Sequence, residues 1–362
     1  MSAGKVFYAV LNMGLGHAAR SLPLIREFLR RGWEMLLGSN GRALEFLKLE
    51  LPDTAFRVTP DYQIEYTRRR RTLLPKLAFQ MPGLLQTIRE EQRCCEKIVN
   101  EFSPDLIISD HCYGMYHQRV PSYFISHQIY FAMPPGLNLL APLGARFNIR
   151  FHQNYRKVII PDLPGGSGGL LSGELSRLPL GSAERYAYGG ILSSITRQEC
   201  SESLDVLVSI SGPEPQRTLL EQKILEQIET VPGKKVLVLG KSEASGALRE
   251  TPDLRIYTHL PRREMNRFFN CAELIVSRPG YSTLMELAEL GKKALLIPTP
   301  GQTEQASLAR RIMKKRWFYA VDQDALELGR DLALAREYAG LFKPGVTAWS
   351  VGNIFDNILN LK

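Results

Sequence analysis

The feature that most constrains this chain is a pattern that runs through it twice. Short, almost wholly apolar stretches alternate with longer segments whose apolar residues recur at helical spacing. In the first half, residues 6–11, 34–37, 105–109 and 122–126 read as buried parallel strands. Helices are expected between them, among others over 18–31 and 84–102. The series restarts at 205–210 and continues with 235–239, 254–257, 273–276 and 293–297, with helices over 261–270, 282–290 and 303–313 among them. Two successive series of this kind predict two doubly wound α/β domains. Ligands bind such sheets at the carboxyl ends of the strands, so the expected site is a cleft between two Rossmann-like domains.

The length of 362 residues agrees with two domains. Glycines cluster at Pro164-Gly165-Gly166-Ser167-Gly168-Gly169 and again at Gly189-Gly190, which marks a flexible connection. The expected division is 1–190 for the acceptor side, 191–345 for the donor side and 346–362 for a terminal helix. Val351, Ile354, Phe355, Ile358 and Leu359 give that helix an apolar face, and the first domain is one candidate for the surface it covers.

Composition excludes several classes. With 44% hydrophobic and 23% charged residues the chain reads as soluble and globular, and no apolar run approaches the ~20 residues of a membrane span. The N-terminus lacks the pattern of a signal peptide. Five cysteines without a CxxC pair suit free thiols in a reducing cytoplasm better than a disulfide framework. The net charge of +9 includes Arg68, Arg69, Arg70 and Arg71, next to an apolar stretch with Leu73, Leu74, Leu77 and Phe79. This run reads either as a solvated loop or as a docking patch for anionic lipid headgroups at the inner face of a membrane. Nucleic acid is set aside, because no binding motif or stacking aromatic series accompanies the arginines.

The first strand ends in Asn12-Met13-Gly14-Leu15-Gly16-His17-Ala18-Ala19-Arg20. Glycines at a strand-to-helix turn let the backbone approach a ligand, and the helix start offers N–H groups to an anion. A dinucleotide fingerprint also needs an acid after the second strand, and Gly38-Ser39-Asn40 supplies none. His17, with Arg20 one turn on, is either a packing residue or a general base that accepts a proton from a hydroxyl. Asp110 ends a first-domain strand and could orient His17, contact an acceptor or serve the fold.

The second half carries three loops at strand ends. Ser277-Arg278-Pro279-Gly280-Tyr281-Ser282-Thr283 reads as a phosphate cradle without a Walker lysine, with Glu286 one turn inside the helix to accept from ribose hydroxyls. Pro298-Thr299-Pro300-Gly301-Gln302-Thr303-Glu304-Gln305 offers a carboxylate and an amide to a hexose. Ser209-Ile210-Ser211-Gly212 follows the first strand of the domain and is expected to line the opposite wall.

These loops, in this order, resemble the GT-B glycosyltransferases that include the N-acetylglucosaminyltransferase of peptidoglycan synthesis. The likeness covers most of the chain. It implies that Gly280, Tyr281, Ser282 and Thr283 meet the donor diphosphate, flanked by Ser211 and Gly212, with Arg278 and Gly16 also on the donor-binding side. It further implies that Glu286 holds the ribose, Glu304 and Gln305 the sugar, and the backbone near His259 and Leu260 a base, uracil by analogy. Arg20, His127 and Gln128 fall on the acceptor side, with the acceptor itself, lipid-linked or glycan, left open. The departures mark a relative and not the murein enzyme itself. Leu15 separates the glycines before His17, Ser126-His127-Gln128-Ile129 shortens a longer motif, and Glu304 replaces a glutamine.

The implied reaction is an inverting transfer of a hexose from a UDP-sugar to a hydroxyl, with no cofactor and no metal. A nucleotide-sugar 2-epimerase and a non-catalytic sugar-nucleotide sensor share the same architecture and stay open. Asp322-Gln323-Asp324 matches a manganese-binding pattern but reads as a helix cap, and no zinc spacing occurs.

Overall fold

The computed structural model describes residues 3–62, 73–133, 141–181, 183–200, 202–241 and 246–361. Arg68, Arg69, Arg70 and Arg71, the lipid-docking candidates, lie outside these residues. The chain forms two compact units: Met1–Ser194 with Val346–Lys362, and Ile195–Gly345.

In the first unit the strands are β1 (Lys5–Val10), β2 (Glu34–Ser39), β3 (Ala55–Val58), β4 (Leu106–Asp110), β5 (Ser122–Ile125) and β6 (Lys157–Ile160). A small hairpin follows, β7 (Pro164–Gly165) with β8 (Gly168–Gly169), and then β9 (Tyr186–Tyr188). The main sheet has the order β3-β2-β1-β4-β5-β6-β9 and is parallel throughout. Helices α1 (Gly16–Arg30), α2 (Gly41–Glu50), α3 (Leu73–Phe102) and α4 (Ala141–His152) accompany it. Val6, Phe7, Tyr8 and Ala9 are completely buried, as a central parallel strand covered on both faces requires. The strand order reverses between β1 and β4, so the loops that follow these two strands open at the switch point where α/β sheets take their ligands.

The glycine-rich stretch is not the flexible connection its composition suggests. It folds into the β7–β8 hairpin, and the buried Asp162 carboxylate accepts from the backbone of Leu163, Leu171 and Ser172. Glycine is required there by crowding: a Cβ on Gly168 would lie 2.0 Å from the Gly173 carbonyl oxygen, and one on Gly169 2.1 Å from Asp162 Oδ2.

The second unit contains β10 (Leu204–Ser209), β11 (Lys235–Val238), β12 (Ala247–Glu250), β13 (Leu254–Tyr257), β14 (Ala272–Ser277), β15 (Lys293–Leu296) and β16 (Tyr319–Ala320). Its helices are α5 (Gln216–Leu225), α6 (Arg262–Cys271), α7 (Tyr281–Leu290), α8 (Thr303–Lys314) and α9 (Leu328–Arg336). The sheet order is β12-β13-β11-β10-β14-β15-β16, parallel except for the edge pair β12–β13. Here the order reverses between β10 and β14, which brings the loops after Ser209 and Ser277 side by side.

The chain then returns to the first unit through α10 (Val346–Asn353) and a π-helical turn, Ile354–Leu359. Ile354 and Phe355 are fully buried, the Phe355 ring lies 4.5 Å from that of Phe28, and the Arg31 guanidinium stacks over Phe355 at 4.5 Å. The expectation of free thiols is corrected at one pair: Cys200 and Cys271 are joined, with Cα atoms 5.3 Å apart. Separated by 71 residues, they form no local motif, and only folding brings them together. Among the described residues no helix is long and apolar enough to cross a membrane.

Candidate active site

The first unit assembles a buried polar network at its switch point. Because Val10 pairs with Asp110 across β1 and β4, the loop after β1 lands beside the Asp110 carboxylate. His17 Nδ1 lies 2.8 Å from Asp110 Oδ1, and Arg20 Nε and Ser21 Oγ donate to Asp110 Oδ2 at 2.8 and 2.9 Å. Arg20 also bonds Asp110 Oδ1 through Nη2 and donates to His127 Nδ1 at 2.9 Å. Three elements therefore meet on one carboxylate: the start of α1, the end of β4, and, through Arg20, the loop after β5.

Burial raises the Asp110 pKa, but Arg20 and His17 outweigh it and hold the carboxyl well below the usual range. His17 Nδ1 faces both the Asp110 carboxylate at 2.8 Å and the Arg20 Nη2 donor at 2.9 Å, so this ring nitrogen is turned into the network. Burial, then the Arg20 cation, lowers the His17 pKa, and Asp110 offsets this only in part. The side chain keeps 13% exposure. Next to it sits His111, in a left-handed conformation at φ 66°, its ring 5.4 Å from that of His17.

In the second unit the switch-point loops are tied together by Arg278, which is 2% exposed. Its guanidinium donates to the carbonyls of Ser211 at 3.3 Å, Ile297 at 3.0 Å, Pro298 at 3.2 Å and Gln216 at 3.0 Å, and to Gln323 Oε1 at 2.6 Å. A guanidinium has five N–H groups, and these contacts occupy all five. Among the described residues no carboxylate pairs with it, and burial alone lowers its pKa to about 10. Two residues on, Gly280 occupies the N-cap of α7, whose first-turn amides have no acceptor within the helix. Inside α7, Glu286 is 7% exposed and accepts from Arg262 Nη2 at 2.8 Å. Gln305, in the first turn of α8, accepts the Thr299 N–H at 2.8 Å.

Comparison with known proteins bears on these two sites. Residues 220–333 match the glycosyltransferase family 28 C-terminal domain, and residues 4–122 match glycosyl transferase family 1. An uncharacterised glycosyltransferase of Methanosarcina acetivorans is 24% identical over 330 residues, covering 84% of this chain and 82% of the relative. The chain is a GT-B glycosyltransferase. Its fold is shared with the glycotransferase of kitacinnamycin at a TM-score of 0.62 and 16% identity, over 97% of this chain and 94% of that one. The MurG of Acinetobacter baumannii has a TM-score of 0.53 at 13% identity, over 97% of this chain and 99% of that one.

Several residues of the glycosyltransferase stand differently in space than their spacing suggests. Arg278 has no N–H left for a diphosphate, so a direct contact gives way to a clamp that fixes the loops. Arg20, at 2% exposure, is committed to Asp110 and His127 and is in no position to meet an acceptor directly. Gln128 lies beside His127, its Nε2 3.4 Å from the ring Nε2. Ser211 and Gly212 are exposed in the loop after β10, and His259 and Leu260 stand between β13 and α6. Glu304 opens α8 beside Gln305, while Tyr281, Ser282 and Thr283 form the first turn of α7. Asp322 sits at an N-cap position but its side chain makes no cap bond; the next residue, Gln323, holds Arg278 instead. Two contacts had no signal that sequence reasoning could weigh: Ser21 on Asp110 and Arg262 on Glu286.

Proposed function

We propose that the enzyme transfers a hexose, N-acetylglucosamine being the leading candidate, from a UDP-sugar to an acceptor hydroxyl with inversion. The observation that carries this reading is the 2.8 Å contact of His17 with Asp110 at the switch point of the first unit. In this reading His17 Nε2 takes the proton of the acceptor O–H as its oxygen bonds to the anomeric carbon, and the bond from that carbon to the diphosphate breaks. Asp110 stabilises the resulting imidazolium. Charge on the departing nucleoside diphosphate meets the first-turn amides of α7 and the field of Arg278, whose cation has no acidic partner among the described residues. This electrostatic support is why we propose a metal-independent reaction. Glu286 is assigned to the ribose hydroxyls, and Glu304 and Gln305 to the sugar.

Thermal shift with UDP-, GDP- and TDP-sugars tests the donor, because a ligand that binds only the folded state raises its Tm. UDP-N-acetylglucosamine is expected to give the largest rise; no rise with any of them sinks the proposal. Product analysis of that donor incubated without acceptor separates the chemistry. A manno epimer appearing there would replace transfer by epimerisation.

A further inference from the structure

Thr299 is buried to 2% exposure, and its hydroxyl has no hydrogen-bond partner among the described residues. Its backbone is well served: the N–H goes to Gln305 Oε1 and the carbonyl accepts from Gln302. A buried hydroxyl left unpaired costs stability, so its persistence calls for a partner that the folded chain does not supply. The direction in which it opens is set by Gly212. This residue has φ 122°, and the space where its Cβ would stand lies 3.5 Å from Thr299 Oγ1 and 3.8 Å from Arg278 Nε. Among the described residues, and apart from its own chain neighbours, no other heavy atom comes within 4 Å of that point. Gly212 itself is exposed, with the buried Thr299 hydroxyl behind it.

This differs from the hairpin glycines, where a Cβ would strike backbone or carboxylate atoms at 2.0–2.1 Å. At Gly212 the missing side chain leaves a small polar gap, with a hydroxyl behind it and an arginine that lacks an acidic partner at its edge. A gap of that character suits an anionic oxygen. Resting on the donor reading above, we propose that the Thr299 hydroxyl donates to an oxygen of the donor's β-phosphate, a contact that discriminates nucleoside diphosphates from monophosphates.

Thr299→Val keeps the shape and removes the hydroxyl, and Thr299→Ser restores it. Calorimetry with UDP, TDP and GDP on the wild type identifies the tightest diphosphate, and its monophosphate serves as the control. The valine variant is expected to bind the diphosphate about tenfold more weakly or worse, the monophosphate unchanged, and the serine variant to bind like wild type. Without ligand, the Tm of the valine variant should equal or exceed that of the wild type. Equal diphosphate affinity in the valine variant overturns the assignment, as does a loss seen only with the sugar nucleotide and not with the diphosphate. A lower Tm of the free valine variant also overturns it, since the hydroxyl would then serve the fold. If none of the three diphosphates binds the wild type, the donor reading falls and takes this inference with it.

Discussion

Arg20 and Arg278 are both 2% exposed, and each sits at the switch point of its own sheet. Their surroundings differ in kind. Arg20 is matched by a fully buried carboxylate, Asp110, so its charge is cancelled inside the fold. Arg278 is solvated by four backbone carbonyls and a glutamine side chain, which satisfy its N–H groups but leave its charge uncancelled. A neutralised pair orients a neighbouring base without attracting ions. A cation held by dipoles alone keeps a positive field for an anionic ligand. The first arrangement suits proton transfer and the second suits a leaving diphosphate.

The comparison breaks most visibly at Asp110. Asp110→Asn leaves the buried Arg20 without its counter-charge, and a loss of about 3–5 kcal/mol is expected in chemical denaturation. The same change removes the carboxylate charge beside His17, so whatever folds should turn over poorly. Unchanged stability would mean that the pair is not buried as described.

Next in size is His17→Ala. Loss of a general base is expected to lower kcat by roughly 100- to 10,000-fold while donor Kd stays as in wild type. The pH profile sharpens the point. The base works only when unprotonated, and burial with Arg20 lowers its pKa. The acid limb of kcat is therefore expected below the ordinary histidine value, with a flat rate through neutrality. An acid limb above that value would contradict the environment seen around His17.

Arg278→Lys supplies at most three donors for five acceptors. It is expected to cost about 2 kcal/mol or more in stability through unpaired buried carbonyls, and to weaken diphosphate binding as the loops loosen. A stable variant with unchanged binding would show that the clamp is dispensable. Smallest is Glu286→Ala, with donor affinity expected to fall about tenfold and no loss of fold, since its partner Arg262 keeps 22% side-chain exposure. Donor binding unaffected by this change removes Glu286 from the ribose.

Much of the architecture was legible because buried parallel strands must be apolar on both faces, a property local enough to read residue by residue. Residues 6–11 and 273–276 announce themselves in this way, and so do the loops that follow them. The edge strand β3 does not: Ala55–Val58 is largely exposed and carries no such signal. The glycine-rich stretch 164–169 misled for a related reason. Glycine density means freedom in an isolated chain, but here it reflects crowding by Asp162 and the Gly173 carbonyl.

The sequence by itself determined the repeating strand–helix order and which loops stand at strand ends, because both follow from periodicity and turn chemistry over a few residues. Only the tertiary structure decided what each charged side chain faces. Asp110 lies 93 residues from His17, and Arg278 reaches 67 residues back to Ser211 and 45 forward to Gln323. Contacts over such separations depend on strand order in the sheet, and strand order leaves no mark on local composition.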